Sequence, residues 1–273
     1  MSKQSHNDLP IGVFDSGVGG LTVLKAIQEE LPNENLVYLG DTARLPYGTK
    51  TPASIERYAT QAAAKLQEQG IKLLVVACNT ASAVALDALR TALAPLVVIG
   101  VVEPGATAAV DARPGGEHLV LATEATVRLG AYKTAILAQD PEATVREQAC
   151  EMLVSLAEEG WSDGHIAQAI VRRYLDEADG AALDTIILGC THFPLLKGVI
   201  QEVADDGVTI VDSASTTADV VRAALEAQGA IRGGDTPGYS RLLATDGATR
   251  FARVGGQFLG HDLSYSDVEV VDL

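Results

Sequence analysis

The sequence predicts an α/β protein built from two pseudo-symmetric, doubly wound domains with mainly parallel sheets and an active site between them. Three observations support this expectation. Short apolar runs alternate along the chain with stretches of helical period. Hydrophobic residues make up 47% of the chain but aromatic residues only 4%, a composition that suits helices covering a buried parallel sheet. The 273 residues are enough for two medium-sized domains.

The apolar runs predict the strands in order. They are residues 11–14, 36–39, 71–77, 97–101, 119–122, 185–188, 208–211 and 242–244. Apolar residues at helical spacing predict one helix over residues 21–31, ended by Pro32. A second helix is predicted around residues 55–66, begun by Thr51-Pro52 and stopped by Gly70. This alternation predicts parallel strands joined by right-handed crossovers.

Two pairs of segments resemble each other, which indicates a distant internal duplication. The segment VVACNTASA around Cys78 parallels ILGCTHFPL around Cys190, and HLVLATEATVRLGAYKTAI is a weaker echo of IGVFDSGVGGLTVLKAI. Two such halves facing each other would place one thiol on each side of a cleft. We therefore expect residues 1–100 and 213–273 to form a first domain and residues 101–212 a second, with linkers near Glu103-Pro104-Gly105 and Asp212-Ser213.

Charge and hydropathy exclude several partners. Lys and Arg number 20 against 36 Asp and Glu, and the net charge of −16 would repel a polyanion, so no nucleic acid partner is expected. The first ten residues are polar and lack the apolar core of a secretion signal. The most apolar long stretch, residues 91–110, contains Pro95, Glu103 and Pro104, so no membrane association is expected. Three cysteines, an odd number, favour reduced thiols and a cytoplasmic location.

Two cysteines stand where functional residues are expected. Ligands in open parallel sheets bind beyond the carboxyl ends of the strands. Cys78 and Cys190 each follow an expected strand, in matching places of the two halves and before polar residues at a predicted helix N-terminus. This favours a chemical role over that of a small buried hydrophobe, the alternative. Cys150 has no such setting and is expected to be structural. No metal is expected, because Cys78, Cys190 and His192 lack paired CxxC or HxxxH spacing.

Two opposed thiols suit the inversion of a carbon that bears an acidic C–H. A base must remove the proton from one face while an acid delivers one to the other, and the roles swap in the reverse direction. The ordinary pKa of a thiol is about 8.5, and lowering a pKa by one corresponds to about 1.4 kcal/mol. A helix N-terminus offers up to about 2 kcal/mol, so the dipole alone is expected to give a useful thiolate fraction near neutral pH.

Each thiol is expected to have a neighbour that orients it or exchanges its proton. His192 follows Cys190 by two residues, which in an extended backbone puts both side chains on one face. Asp15 ends a strand expected beside that of Cys78. The alternatives are a packed or surface role for His192 and an N-cap of the following helix for Asp15.

Four motifs resemble those of the glutamate racemase family, in the Asp/Glu racemase superfamily. DSGVGGLTV, GDTARLPYG, ACNTAS and LGCTHFPLL occur in the family's order and at its separations, over nearly the whole chain. The resemblance implies Cys78 and Cys190 as the two acid/base residues, with Asp15 and His192 as their auxiliaries. The substrate contacts that it implies are Asp15, Ser16, Tyr47, Gly48, Asn79, Thr80, Thr191 and His192. Hydroxyls, amides and N–H groups at helix ends can hold carboxylates without cationic side chains.

The same resemblance implies the wider function. Members of the family interconvert L- and D-glutamate with no cofactor, pyridoxal phosphate included, and supply D-glutamate for peptidoglycan, and so for cell-wall biogenesis and cell shape. The resemblance also implies a homodimer and regulation by a peptidoglycan precursor, as occurs in some relatives.

One segment departs from the family's pattern. Where the family usually has a segment like CPLFVPLVEEG, residues 150–160 read CEMLVSLAEEG, without either proline. Matched position by position, Glu158 is the family's auxiliary glutamate near the second cysteine. A glutamate on a helix surface is the alternative.

Other functions stay open at this point. The Gly17-Val18-Gly19-Gly20 loop lacks the third glycine of GxGxxG, since Thr22 stands there, and is interpreted as a flexible turn that lets the backbone approach the substrate. A pyridoxal enzyme has no universal lysine motif by which to exclude it. Within the superfamily, the alternatives are an aspartate racemase and a one-cysteine decarboxylase. From another class, the alternative is a non-catalytic regulatory binding protein.

Overall fold

The computed structural model describes residues 6–178 and 182–273, which form an α/β structure. The strands in these ranges are β1 (Ile11–Asp15), β2 (Leu36–Gly40), β3 (Leu73–Val76), β4 (Val97–Gly100), β5 (Glu117–Ala122), β6 (Thr144–Ala149), β7 (Thr185–Gly189), β8 (Thr209–Asp212), β9 (Ser240–Ala244) and β10 (Val268–Val270). The α-helices are α1 (Leu21–Glu30), α2 (Pro52–Glu68), α3 (Asn79–Leu93), α4 (Val102–Ala112), α5 (Glu124–Leu129), α6 (Ala131–Gln139), α7 (Glu151–Glu158), α8 (Gly164–Glu177), α9 (Lys197–Val203), α10 (Ser213–Ala227) and α11 (Ala248–Leu259).

The strands form two sheets in which every described pairing is parallel. The first sheet has the order β10-β9-β2-β1-β3-β4 and the second the order β6-β5-β7-β8. The central strands β1, β3 and β7 are fully buried and mostly apolar, as parallel strands with helices on both faces are. The predicted fold class, α/β with two parallel sheets, is confirmed.

The two sheets repeat one winding. Numbered along the chain, the strands of the second sheet follow the order 2-1-3-4, and so do the first four strands of the first sheet, β2-β1-β3-β4. The turn after β3 carries Cys78, and the turn after β7, its counterpart, carries Cys190. The segment pairs that look alike in the sequence therefore occupy equivalent places in the two sheets.

The two helices predicted from apolar spacing form where expected. α1 ends at Glu30, just before Pro32. α2 starts at Pro52 with Thr51 as its N-cap, and the Thr51 side chain accepts a hydrogen bond from the Ser54 N–H at 3.4 Å. Proline suits the first helical position, because its missing N–H would have had no partner inside the helix.

Two strands escape the sequence prediction, and both lie at sheet edges. β6 pairs with β5 alone among the described strands, and Arg146, Glu147 and Gln148 interrupt its apolar pattern. β10 has three residues and pairs with β9. An edge strand has a free side and a partly exposed surface, so it needs no continuous apolar run.

Helices take the place of the predicted linkers. Glu103-Pro104-Gly105 lies in the first turn of α4, where the missing proline N–H costs no helical hydrogen bond. Ser213 begins α10, and the Asp212 side chain caps that helix by accepting from the Ala214 N–H at 2.8 Å. The chain thus passes between the sheets through α4 and α10, which pack against each other. The domain limits at residues 100 and 213 stay a prediction. No helix in the described ranges combines the length and apolar character needed to cross a membrane.

A buried ion pair lies at the amino end of β3 in the first sheet. Lys72, 2% exposed, places its Nζ 2.6 Å from Glu34 Oε2. The same ammonium group donates to the Asn7 carbonyl at 2.7 Å and the Ala230 carbonyl at 2.8 Å. The other oxygen of Glu34 accepts from the Arg232 N–H at 2.7 Å. The segments around residues 7, 34 and 230 are thereby tied to the start of β3.

Replacing Lys72 with methionine is expected to lower the free energy of unfolding by about 3–5 kcal/mol, because the Glu34 carboxylate is then left buried without a cation. Urea denaturation measures the change. The control is Arg173→Met, which breaks the exposed pair between Arg173 and Glu177 and is expected to cost less than about 1 kcal/mol. Equal effects of the two substitutions would contradict the assignment of Lys72 as an anchor.

Candidate active site

The carboxyl ends of strands from both sheets border one cavity of about 250 Å³. This size lies near the lower limit of ligand pockets, roughly 300–1,000 Å³, and so suits a small molecule. The lining residues are Ser16, Pro46, Tyr47, Gly48, Thr49, Cys78, Asn79, Thr80, Thr123, Glu151, Val154, Ser155, Gly189, Cys190, Thr191 and His192. Of the site residues predicted from the sequence, all except Asp15 and Glu158 line this cavity. Those two stand behind it.

Cys78 is the N-cap of α3, as the sequence analysis expected of a cysteine before a helix. Its Sγ accepts a hydrogen bond from the Ala81 N–H at 3.4 Å and donates to Ser16 Oγ at 3.4 Å. Burial, reinforced by the negative charge of Asp15, nevertheless raises the pKa of the Cys78 thiol to about 12. The expectation that the helix dipole alone gives a thiolate near neutral pH is therefore wrong for this thiol, because desolvation outweighs the dipole.

Asp15 lies at the end of β1, fully buried beside Cys78. Its Oδ2 accepts from the Gly17 N–H at 2.8 Å, and its Oδ1 is buried with no hydrogen-bond partner in the described part of the chain. Burial raises the pKa of this carboxyl above its ordinary value, although the charge of His192 and nearby backbone N–H groups act in the opposite direction. The N-cap alternative is wrong, since α1 begins at Leu21 and Gly20 occupies its cap position.

Cys190 and His192 meet through a turn. Their Sγ and Nδ1 atoms are 3.8 Å apart. The backbone of His192 is helical, with φ −80° and ψ −28°, where the prediction assumed an extended segment. The turn leads into a 3-10 helix, Phe193–Leu196, so Cys190 does not stand at the N-terminus of an α-helix as Cys78 does. The predicted contact exists, but a tight turn produces it.

Glu158 completes a charged chain behind the second thiol. His192 Nε2 lies 3.2 Å from Glu158 Oε1, and Arg250 on α11 approaches Glu158 Oε2 at 2.7 Å. Burial lowers the pKa of His192, but its bonds to Cys190 and Glu158 outweigh this effect and raise it to about 10. The hydrogen bond from His192 lowers the pKa of Glu158. At neutral pH the two groups therefore form an ion pair.

The segment that departs from the family's pattern forms a regular helix. Without prolines, the segment from Glu151 to Glu158 is free to form α7, and Glu158 lies in its last turn, facing His192. Of the two interpretations, a surface glutamate and a group near the second cysteine, the geometry favours the second.

The glycine loop packs closely against the turn that carries the second thiol. A Cβ on Gly19 would clash with the side chains of Thr191 and His192, and a Cβ on Gly20 would lie 2.5 Å from Asp15 Cβ. Thr22 Oγ1 donates to the Thr191 carbonyl at 3.0 Å. The missing side chains thus permit the close contact between the loop after β1 and this turn. The approach of the loop's backbone to the substrate stays a prediction.

Tyr47 is held by the first residue after β2. Its hydroxyl donates to Asp41 Oδ2 at 2.5 Å, and the fully buried Asp41 also accepts from Thr245 Oγ1 at 3.0 Å and from Arg44 Nε at 3.0 Å. The motif GDTARLPYG therefore folds around its own aspartate, which presents Tyr47 to the cavity.

Seven residues that line the cavity are not predicted from the sequence: Pro46, Thr49, Thr123, Glu151, Val154, Ser155 and Gly189. Thr123 had a usable signal, because the weak echo between the halves matches it with Ser16. Its Oγ1 lies 3.0 Å from Thr80 Oγ1. Glu151, Val154 and Ser155 come from α7, whose sequence carries no motif of this kind. Within residues 6–178 and 182–273, no three His, Cys, Asp or Glu side chains gather as metal ligands would.

The fold and the site define a class of α/β enzyme in which two related halves each place a thiol at one small cavity. A family model described as Asp/Glu/Hydantoin racemase matches residues 11–221. The chain is 48% identical, over 96% of both chains, to a glutamate racemase of Geobacter metallireducens. The chain belongs to the glutamate racemases of the Asp/Glu/Hydantoin racemase family, and so is an isomerase.

Solved structures agree with this assignment. A glutamate racemase from Francisella tularensis in complex with D-glutamate superposes with a TM-score of 0.89 at 34% identity, covering 97% of this chain and 98% of that one. An Escherichia coli glutamate racemase in complex with L-glutamate and the activator UDP-MurNAc-ala has a TM-score of 0.76 at 29% identity, with 97% and 98% covered.

The charge of Glu158 is expected to keep His192 protonated. In Glu158→Gln the anion is lost, so the pKa of His192 should fall by about 1 or more. NMR titration of the His192 ring measures the change. The control is Glu159→Gln, the same substitution at the neighbouring exposed position, which should leave the titration in place. An unchanged His192 titration in Glu158→Gln would show that Glu158 does not act on the ring.

Proposed function

We propose that this enzyme interconverts L- and D-glutamate by a two-base mechanism in which Cys78 and Cys190 are the acid and the base. One observation carries the proposal: the two thiols follow equivalent strands of the two sheets and line the same cavity. A substrate between them would present opposite faces of its α-carbon to the two sulfur atoms.

In each direction the proton balance closes without a cofactor. One thiolate takes the α-proton and becomes a thiol, while the opposite thiol gives its proton to the other face of the carbon and becomes a thiolate. With a pKa of about 12, Cys78 holds its proton at neutral pH and so stands ready as the acid. Cys190 Sγ lies 3.8 Å from Nδ1 of His192, so His192 is placed to exchange a proton with the second thiol.

The auxiliary roles follow from the contacts behind the thiols. Asp15, with a raised pKa and an unpaired Oδ1, is suited to exchange a proton on the side of Cys78. His192 serves Cys190, and Glu158 keeps His192 charged and in place. A raised carboxyl pKa brings Asp15 closer to the operating pH, where general acid–base catalysis is most effective.

The chemistry of the cavity wall suits a small dicarboxylic amino acid. The residues proposed to contact it are Ser16, Tyr47, Gly48, Asn79, Thr80, Thr191 and His192, with Asp15 behind them. None of the described lining residues is Lys or Arg. Carboxylates would therefore be held by hydroxyls and by the free N–H groups in the first turn of α3.

Replacing either Cys78 or Cys190 with serine is expected to lower racemisation by about 10³-fold or more, since a hydroxyl is a far weaker acid than a thiol. The assay incubates cofactor-free protein with each enantiomer in D₂O and follows optical rotation and α-deuterium. Both wild-type samples should converge to zero rotation with deuterium at the α-carbon, and aspartate should remain unchanged.

Cys150→Ser is the matched control, because Cys150 Sγ contacts the Gln148 carbonyl at 3.4 Å, a bond that a hydroxyl can also make. It should retain activity. Racemisation that survives in both site variants would contradict the two-thiol mechanism. A wild-type protein without racemisation would instead favour a non-catalytic regulatory binding protein, whose activity either cysteine substitution would leave intact. Turnover of aspartate would favour an aspartate racemase, and loss of CO₂ from the substrate a decarboxylase. A wild-type spectrum with pyridoxal absorbance would contradict the absence of a cofactor.

The wider role proposed is a supply of D-glutamate for peptidoglycan synthesis, in the cytoplasm, by a homodimer. The described cysteines are all free, as a reducing compartment requires. The activator UDP-MurNAc-ala in the E. coli structure supports regulation by a peptidoglycan precursor. Sedimentation should give twice the mass of one chain, and UDP-MurNAc-ala should raise the racemisation rate. A monomer at assay concentration, or a rate that the precursor leaves unchanged, would contradict the corresponding part of this proposal.

A further inference from the structure

Tyr132 lies outside the cavity but touches a residue that lines it. This tyrosine on α6 is fully buried, and its hydroxyl is 2.7 Å from Asn79 Nδ2. Its hydroxyl also lies close to the side chain of Ser213, the first residue of α10. Ser213 Oγ donates to the Leu188 carbonyl of β7 at 3.2 Å. A chain of polar contacts, which we call the relay, thus runs from the residue after Cys78 to the strand that precedes Cys190.

The last member of this chain sets the direction of every bond in it. A backbone carbonyl can only accept, so the Ser213 hydroxyl donates to Leu188. The Ser213 oxygen is then left to accept from the Tyr132 hydroxyl, and the Tyr132 oxygen accepts from Asn79. The carboxamide of Asn79 must therefore turn its NH₂ group towards Tyr132, because the reverse orientation would place two acceptors face to face.

In this orientation, Asn79 Oδ1 is available to accept a hydrogen bond from a ligand. Asn79 is 3% exposed and lines the cavity, and its Oδ1 is buried with no hydrogen-bond partner in the described ranges. An unpaired buried acceptor costs free energy in the empty protein, and a bound donor removes that cost. A free amino acid carries one strong cationic donor, its α-ammonium group.

The relay lies beside both segments, α4 and α10, through which the chain crosses from one sheet to the other. Ser213 begins the second passage, α10, and Gly105 lies in the first, α4. A Cβ on Gly105 would lie 3.2 Å from the Tyr132 ring, which is tighter than ordinary contact, and 3.5 Å from Ser213 Cβ, which is ordinary contact. Glycine at this position therefore lets α4 pack closely against Tyr132 and Ser213. The bonds are held by packed helices on both sides and are not free to rearrange alone.

We propose that Tyr132 is a positioning residue, which orients the Asn79 carboxamide so that Oδ1 accepts a hydrogen bond from the α-ammonium group of the substrate. The proposal rests on the proposed function in one respect, that the ligand is an α-amino acid.

The test compares glutamate with glutarate, a dicarboxylate that lacks the ammonium group. Tyr132→Phe removes the hydroxyl and keeps the ring. It should raise the KM for both glutamate enantiomers about tenfold, with a smaller change in kcat, because this bond forms in the ground state and the transition state alike. The inhibition constant of glutarate should stay within about twofold of the wild-type value. Ser213→Ala, which removes the acceptor of Tyr132, should show the same selectivity.

Tyr174→Phe is the matched control, since its hydroxyl accepts from the Met152 N–H at 3.3 Å, away from Asn79. It should leave both constants unchanged. A parallel rise for glutamate and glutarate in Tyr132→Phe would show a merely structural role, and no change in either would show that Asn79 keeps its orientation unaided. Either result overturns the proposal, and Ser213→Ala decides if Tyr132→Phe does not fold.

A separate readout keeps this test distinct from the proposed function. Ligand binding raises Tm whether or not turnover follows. A wild-type protein that binds glutamate without racemising it would contradict the proposed function. The relay would still be testable in that case: in Tyr132→Phe, the rise in Tm caused by D-glutamate should shrink more than the rise in Tm caused by glutarate. Equal losses of both shifts would overturn the relay by itself.

Discussion

The parallel strands of each sheet end at one edge, and in this protein those two edges border the same cavity. Everything at the site depends on this constraint. Because β3 and β7 occupy equivalent places in the two windings, the turns after them carry their cysteines to one cavity from different halves of the structure. The loop after β1 is rich in glycine at the point where it packs against Thr191 and His192, since a side chain there would hold the halves apart.

The two thiols have similar positions but different surroundings. Cys78 is buried beside a carboxyl group, and both influences favour the neutral thiol. Cys190 lies next to the imidazole of His192, which pairs with Glu158 behind the cavity, and Arg250 contacts the other oxygen of Glu158. In the proposed reaction one sulfur is protonated and the other deprotonated at a time, and the two thiols have different neighbours for proton exchange, Asp15 and His192.

The sequence predicts what is local and misses what depends on distant contacts. The strands of the sheet centres and the turns with Cys78 and Cys190 are visible because each is an apolar run followed by an unusual polar motif. β6 was missed because an edge position tolerates Arg146 and Glu147 within a strand. Arg250 and Tyr132 belong to no motif. Their importance comes from contacts with Glu158, which is 92 positions from Arg250, and with Asn79, which is 53 positions from Tyr132. The His192 contact was predicted from extended geometry, although a turn produces it, because short sequence separation brings side chains together in either conformation.

The N-terminus of α3 does not ionise Cys78, and this leaves it available to bind an anion in the cavity. Burial raises the pKa of Cys78 despite its N-cap position, so the N-terminal field of α3 is not used to ionise the thiol. Only the Ala81 N–H is directed at the sulfur, and the earlier N–H groups of the first turn have no acceptor inside the helix. A carboxylate bound there would gain those bonds, and its charge would hold Cys78 protonated still more firmly. In the proposed mechanism the helix terminus therefore binds the carboxylate of the substrate, and Cys78 keeps the proton that it delivers to the α-carbon.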